Sequence, residues 1–362
     1  MCKPPFSNVL QPFVDRHSLA GAVILVADRN KIDCLEAVGF ADIAAGIPMR
    51  TNSLFWVASQ TKAITAAALM MLVDEGKVRL DEPVAKYLPE FMDQWLAVEQ
   101  DAAHVLLRKP HQLPTVRQVL SNTSGIPFKS PLEEPKLDRL PLESAVRSYA
   151  MTPLQFEPGS RYMYSNAGFN TVGRIIEVIS GQSYAEFMDQ RLFRPLGMRD
   201  TTFWPSAKQL VRLAKSYKPN SAGTGLEELE ISQLSYLPLT SRVRHPIPAG
   251  GLFSTASDIG CFCRMILNYG CFEGERYLSE AAVREISSRQ TGAEIPESYG
   301  LGWNTGDGWV SHGGAYASDM TVDWRCGLIH SYMVQHAGFP NDGASAYSAF
   351  LDAANATFSY NE

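Results

Sequence analysis

Ser59 and Lys62 stand three residues apart in Phe55-Trp56-Val57-Ala58-Ser59-Gln60-Thr61-Lys62, at the head of a stretch that reads as a helix up to Gly76. Residues at i and i+3 share a helix face, so the hydroxyl and the amine can meet. A Ser hydroxyl becomes a useful nucleophile when a neighbour takes its proton, and an adjacent amine does this if it is held neutral. Ile64, Ala67, Ala68, Met71 and Leu72 recur at amphipathic helical spacing, and Gly76 supplies the stop. Ser59 then lies near the unpaired N–H groups and positive dipole end of that helix, which favour a developing oxyanion. Taken alone, however, S-x-x-K describes a capping Ser and a solvated Lys better than it describes a site. No other Lys in the chain follows a Ser at this spacing, and the meaning of the pair rests on partners elsewhere.

Those partners exist. Tyr164-Ser165-Asn166 is the sole Y-x-N of the chain and follows Pro158-Gly159 in a loop; His312-Gly313-Gly314 ends a C-terminal strand. S-x-x-K, Y-x-N and [K/H]-x-G in this order resemble the serine β-lactamase and penicillin-binding-protein superfamily. The likeness is above all to its class C branch, the D-alanyl-D-alanine peptidases, the D-aminopeptidases and the family VIII carboxylesterases. It spans nearly the whole chain, because Leu120–Gly125, Gly159–Asn166 and Pro248–Asp258 also look like recurrent segments of that family. His336-Ala337-Gly338 fits H-x-G as well. In the family the third motif is followed by further strands and then the terminal helix, which holds for His312; His336 is therefore expected to be a strand-end histidine with no catalytic role.

The resemblance implies that Ser59 attacks a carbonyl while Lys62 and Tyr164 share the proton. A phenol has a pKa of about 10, so Tyr164 acts as a base only where positive charge lowers it, and Lys62 is a source of that charge. Which of the two is the formal base stays open. The oxyanion donors would be the N–H groups of Ser59 and Ala315, just after Gly313 and Gly314. Asn166 would orient the substrate and hydrogen-bond Lys62. Trp303 and Tyr316 flank the third motif and are candidates for the pocket, although core packing suits Trp303 equally. Class C β-lactamases usually carry Lys where His312 stands, and a His of pKa about 6.5 is largely neutral at neutral pH. If its charge grips a substrate carboxylate or holds Tyr164 ionised, the rate should fall as His312 loses its proton. The expectation is a serine hydrolase forming an acyl-enzyme on Ser59, foremost a carboxylesterase on small esters. A D-amino-acid amidase, D-aminopeptidase or DD-peptidase comes next, then a β-lactamase; the non-enzyme alternative is a penicillin-binding sensor that is acylated without turnover.

The elements that must position these residues follow from patterning. Phe6–His17 reads as a helix, and Gly21–Asp28 with Lys31–Phe40 as a hairpin turning at Arg29-Asn30. From about 92 to 240, helical patterns (Thr115–Ser121, Leu142–Met151, Gly168–Ser180, Tyr184–Leu192) alternate with Pro- and Gly-rich loops, Pro219–Gly225 and Phe128–Arg139 among them as pocket walls. Pro248–Gly251 reads as a plain turn before a helix over Thr255–Asn268, where Thr255 and Asp258 suggest a loose capping box. Tyr299–Asn304, Trp309–His312, Ser318–Trp324 and Leu328–Gln335 read as strands, and Ala344–Ala356 as a closing helix. The expected class is α/β (α+β), a β-lactamase/transpeptidase-like fold. A discontinuous sheet domain (1–78 and 241–362) would carry an inserted all-helical lobe (79–240), with the site in the cleft between.

A chain of 362 residues is long enough for two lobes. Its net charge of −6 gives no electrostatic footprint for nucleic acid or anionic membrane, and the apolar stretch Ala63–Val73 is too short to span a bilayer. Cys2, Cys34, Cys261, Cys263, Cys271 and Cys326 have no metal or disulfide spacing. No phosphate-cradling motif is present either, so no cofactor and no metal is expected, and the partner is a small-molecule ester or amide. Asn8–His17 holds no continuous apolar run of a signal peptide, which with the free thiols points to a cytoplasmic location.

Overall fold

Gly21–Ala27 (β1) is apolar along its whole length and buried along its whole length, as a strand at the middle of a covered sheet must be. This is a computed structural model describing residues 5–101, 103–133 and 136–358; Cys2 and positions 134–135 of the expected pocket loop lie outside the described residues. After β1 the chain forms β2 (Ile32–Asp42), β3 (Ile47–Pro48), β4 (Phe55–Trp56), the hairpin β5 (Leu96–Gln100) and β6 (Val105–Arg108), the hairpin β7 (Ser216–Pro219) and β8 (Leu226–Leu229), β9 (Phe253–Ser254), the ribbon β10 (Cys271–Phe272) and β11 (Glu275–Arg276), and finally β12 (Asn304–Gly306), β13 (Trp309–Gly313), β14 (Asp319–Asp323) and β15 (Leu328–Met333). The last four join the first three in one seven-stranded sheet of order β12-β13-β14-β15-β1-β2-β3. Its seam pairs β1 antiparallel to β15, Val23 opposite Met333, so the two ends of the chain close a single antiparallel sheet as expected.

The two faces of β1 serve different layers because side chains alternate along a strand. Ala22, Ile24 and Val26 pack with α1 (Ser7–Asp15) and the C-terminal helix, while Val23 and Leu25 face α8 (Ala256–Leu267), with α2 (Gln60–Asp74) in the same core. The sequence pattern made α2 amphipathic; it is instead buried from Gln60 to Leu72, all round. A helix so enclosed carries its first turn into the interior, and Ser59 and Lys62 with it. Beyond it come α3 (Val116–Leu120), α4 (Leu142–Met151), α5 (Asn166–Ser180), α6 (Tyr184–Met188), α7 (Ala207–Leu210), α8 (Ala256–Leu267), α9 (Glu280–Ser287) and α10 (Ser345–Phe358).

Several local expectations need correction. The stretch 79–240 is not all helical: β5–β6 and β7–β8 are hairpins, and Pro219–Gly225 is the turn region of the second. Tyr299–Asn304 is not a strand, since Gly302 turns with φ +80° to reach α2 and only an isolated bridge links Tyr299 to Asn304. Thr255 caps α8 by accepting from Asp258 N–H, but the Asp258 carboxylate does not return the bond and takes Asp200 N–H and the Thr201 hydroxyl instead. His336 accepts from Ala20 N–H at 3.1 Å and stacks on Phe339, a fastening between the two chain ends. Among the described residues no helix is long and apolar enough to cross a membrane, and the five described cysteines are unpaired.

Candidate active site

Ser59 begins α2 but does not cap it. Its backbone is already helical (φ −68°, ψ −11°) and its hydroxyl accepts no N–H of the first turn. The residue before it, Ala58, turns with φ +45°, a left-handed conformation that costs an L-residue roughly 1–2 kcal/mol. The packing of β4 against β9 on one side and α2 on the other over-determines that turn and presents Oγ to a cavity.

Lys62 Nζ, fully buried, lies 3.2 Å from Ser59 Oγ, 2.7 Å from Asn166 Oδ1 and 2.7 Å from the Ala249 carbonyl oxygen. No carboxylate is among these contacts, and burial pushes its pKa well below the usual ammonium value. The two oxygens can only accept. An ammonium has three N–H groups for these three oxygens, and a neutral amine has two for the carbonyl oxygens with a lone pair left for Ser59 Oγ, so the contacts fit either state. Burial is what favours the neutral amine.

Tyr164 reaches the same serine from the opposite wall. Asn122 holds its loop by accepting Met163 N–H on its carbonyl and Ser165 N–H on its side chain, at 2.8 and 3.0 Å. Ser165 then caps α5 by accepting Gly168 N–H. Tyr164 hydrogen-bonds Ser59, and burial raises its phenol above the ordinary value despite that bond. Burial thus works against the lowering of the Tyr164 pKa that a charged Lys62 was expected to bring.

His312 is nearly fully buried, and burial brings its pKa down to about 3. Its Nδ1 is 2.8 Å from the Gly313 carbonyl, which can only accept, so Nδ1 carries the proton and Nε2 accepts from the Tyr299 hydroxyl at 3.2 Å. His312 is thus neutral and cannot supply the charge considered for it. Gly314 lets the motif close on the nucleophile: a Cβ there would sit 2.5 Å from Ser318 Oγ and 2.7 Å from Val57 O. Among the described residues, neither Ser59 N–H nor Ala315 N–H has a main-chain acceptor.

The cavity is about 660 Å³, and Ser59, Tyr164, Asn166, His312, Gly313, Gly314 and Ala315 all line it. Trp56, Phe128, Leu137 and Ile247 form its apolar walls. Trp303 does not belong to it; the side chain is fully buried and stacks on Phe262 of α8, so the core reading is the correct one. Tyr316 stands behind the wall, edge-on to Trp56 and 3.2 Å from Gln233 Oε1. Of the two loops expected as walls, the one from Phe128 contributes and Pro219–Gly225 does not. Sequence reasoning missed the Ala249 carbonyl, the Ala58 turn and the Trp56 and Ile247 walls. The recurrence of Pro248–Asp258 as a family segment was the available signal for Ala249. Among the described residues no three His, Cys, Asp or Glu side chains are grouped to hold a metal.

The family profile described as Beta-lactamase matches residues 6–354. The chain belongs to the beta-lactamase family. Esterase EstB of Burkholderia gladioli is 32% identical over 353 residues, covering 86% of this chain and 84% of its own. Penicillin-binding protein 4 of Amycolatopsis lactamdurans is 30% identical over 296 residues, covering 81% and 71%. Simvastatin synthase (LovD) of Aspergillus terreus superposes with a TM-score of 0.83 at 20% identity, over 98% of each chain, and shares the fold. Members of the beta-lactamase family are serine hydrolases, and its esterases and penicillin-binding proteins are both represented among these relatives.

Proposed function

We propose that the protein is a carboxylesterase that cleaves small esters through an acyl-enzyme on Ser59. The observation that carries this reading is the Lys62 amine, fully buried without a carboxylate, 2.7 Å from two carbonyl oxygens and 3.2 Å from Ser59 Oγ; kept neutral by burial, it has a lone pair for the Ser59 proton. Ser59 Oγ attacks the ester carbon and its proton passes to Lys62. The carbonyl oxygen, now negative, is held by the N–H groups of Ser59 and Ala315, each such donor lowering the barrier by about 3–4 kcal/mol in well-studied hydrolases. The C–O bond to the alcohol breaks, the Tyr164 phenol gives its proton to the departing alkoxide, and Lys62 returns a proton to Tyr164. Water then attacks the acyl carbon, passes a proton back through the same pair, and releases the acid and free Ser59.

Ester is favoured over β-lactam by His312. A neutral imidazole at the third motif offers no fixed charge to a substrate carboxylate, and the walls of Trp56, Phe128, Leu137 and Ile247 suit an uncharged acyl group. EstB, an esterase by name, is a relative of matching length. The test compares a short-chain p-nitrophenyl ester, a chromogenic cephalosporin and a D-amino-acid p-nitroanilide on one preparation, with Ser59→Ala as control. Fast ester cleavage that Ser59→Ala abolishes at unchanged Tm is the expected result. Ester turnover that survives Ser59→Ala, or faster turnover of the cephalosporin or the anilide, overturns the reading.

A further inference from the structure

Asn170 lies one helical turn beyond Asn166 on α5, so the two amides face the same neighbours. Asn166 Oδ1 accepts one Lys62 N–H; Asn170 Oδ1 accepts the N–H of Ala249 at 3.1 Å, the residue whose carbonyl accepts the other. On its far side Asn170 Nδ2 donates to the Tyr149 hydroxyl at 2.9 Å, and Tyr149 donates to Glu133 Oε1. Glu133 Oε2 in turn accepts Ser130 N–H at 2.9 Å, two residues from Phe128 of the cavity wall. Asn170, Tyr149 and Glu133 are all buried. The hydrogen bonds therefore run without a break from a buried carboxylate to the residue that holds Lys62.

With Glu133 ionised, donor counting permits one arrangement. A carboxylate gives nothing, so the single Tyr149 proton goes to Glu133 and its oxygen must accept from Asn170 Nδ2. With Nδ2 so engaged, Oδ1 is turned to Ala249. A flipped Asn170 would set its NH₂ against the Ala249 N–H and its oxygen against Tyr149, leaving buried donors unpaired. The Pro248–Ala249 peptide is gripped from the other side too, because Thr65 Oγ1 lies 2.8 Å from Pro248 O. Close approach is built in: a Cβ on Gly173 of α5 would sit 2.2 Å from Pro248 Cγ.

We propose that Asn170, fixed in one orientation by Tyr149 and Glu133, is a positioning residue for Lys62. It locks the Ala249 backbone so that the carbonyl takes a Lys62 N–H and the amine lone pair stays on Ser59. This rests on the reading of Ser59 as a nucleophile activated by Lys62. Without Asn170 the Ala249 carbonyl is free to swing, an N–H of Lys62 turns towards Ser59 Oγ, and the lone pair points elsewhere.

The test measures the rate at which an alkyl fluorophosphonate labels Ser59, alongside kcat and KM for a short-chain p-nitrophenyl ester and Tm. Asn170→Ala is expected to slow both labelling and kcat by about tenfold or more, with KM within about twofold of wild type. Asn170→Asp is the conservative rescue. Burial keeps its carboxyl protonated, so a C=O still faces Ala249 and an O–H still faces Tyr149, and both rates should return to within about threefold of wild type. Asn170→Ala labelling at the wild-type rate, a rise in KM at constant kcat, or an Asp variant as slow as Ala each overturns the proposal. Should Asn170→Ala not fold, Tyr149→Phe removes only the hydroxyl and is expected to slow labelling; an unchanged rate there overturns it as well. The two readings fail separately. A wild-type protein that the probe does not label refutes the Ser59 nucleophile itself, whereas equal labelling of wild type and variant refutes only the role of Asn170.

Discussion

A Lys62 kept neutral by burial would leave a signature in stability that does not depend on finding the substrate. In the folded protein the buried amine is held below its ordinary pKa, while in the unfolded chain it returns to about 10.4. Between those two values the unfolded state binds one more proton than the native state, so this group makes the protein more stable as pH rises. The slope for one proton is about 1.4 kcal/mol per pH unit at most. Lys62→Met keeps the length of the side chain and deletes the amine. It also leaves Asn166 Oδ1 and the Ala249 carbonyl without a donor, a constant loss of about 1–3 kcal/mol each that pH does not alter. Urea unfolding of both proteins at pH 7, 8 and 9 separates the two effects, because every titrating group other than Lys62 is common to both. From pH 7 to pH 9 the wild type should gain on Lys62→Met by up to about 2.7 kcal/mol, two units of that slope. His312 leaves the difference untouched, being neutral throughout that range. Parallel curves would mean that Lys62 keeps its proton when folded, and the account of Ser59 activation would fall with it. Esterase activity of the same variant should be lower by about 10²–10⁴, the usual contribution of a positioned general base.

Three further outcomes follow from the geometry. His312, with a pKa of about 3, should contribute no limb to kcat/KM between pH 5 and 8, so His312→Asn should keep the wild-type profile shape; a limb near pH 6.5 that vanishes in the variant would show a titrating His312. Gly314→Ala drives a Cβ into Val57 O and should pull Ala315 N–H off the oxyanion position, lowering kcat by about 10²–10³ with a folded protein by circular dichroism; a normal kcat contradicts that placement. Trp303→Ala should cost about 3–5 kcal/mol in urea unfolding while KM is unchanged, since the indole fills core beside Phe262 and touches no part of the cavity; a shifted KM would return it to the pocket.

What could be read from the sequence and what could not divide by the range of the interaction. α4 runs from Leu142 to Met151 as its pattern predicts, and α3 starts at a Thr115 capping box with Gln118, because both depend on neighbours within a turn or two. That the two chain ends share one sheet was accessible for a different reason: apolar strands at both ends of the chain and few between leave one economical pairing. The β5–β6 and β7–β8 hairpins escaped because their strands carry exposed residues of no clear period, Val98, Leu106 and Glu227 among them. Trp303 was ambiguous because Gly302, turning through positive φ, decides which way the next side chain points. Ala249 could not be read from its residue type, for a stronger reason. It contributes a backbone oxygen, 187 positions from Lys62, and a backbone oxygen has no residue type to recognise.

The same long-range contact bears on the question that S-x-x-K left open. A Ser at the start of a helix followed by a Lys one turn later is, in most proteins, a cap and a solvated charge. Here the hydroxyl makes no cap and the amine meets no solvent. Both departures trace to the enclosure of α2, which removes water from Lys62, and to α5 and the Pro248–Gly251 turn, which replace that water with two carbonyl oxygens. With carbonyl oxygens in place of a carboxylate, no counter-charge offsets the burial that disfavours the ammonium form. The enclosure of Lys62 without a carboxylate, more than the presence of the motif, is what makes Ser59 a candidate nucleophile.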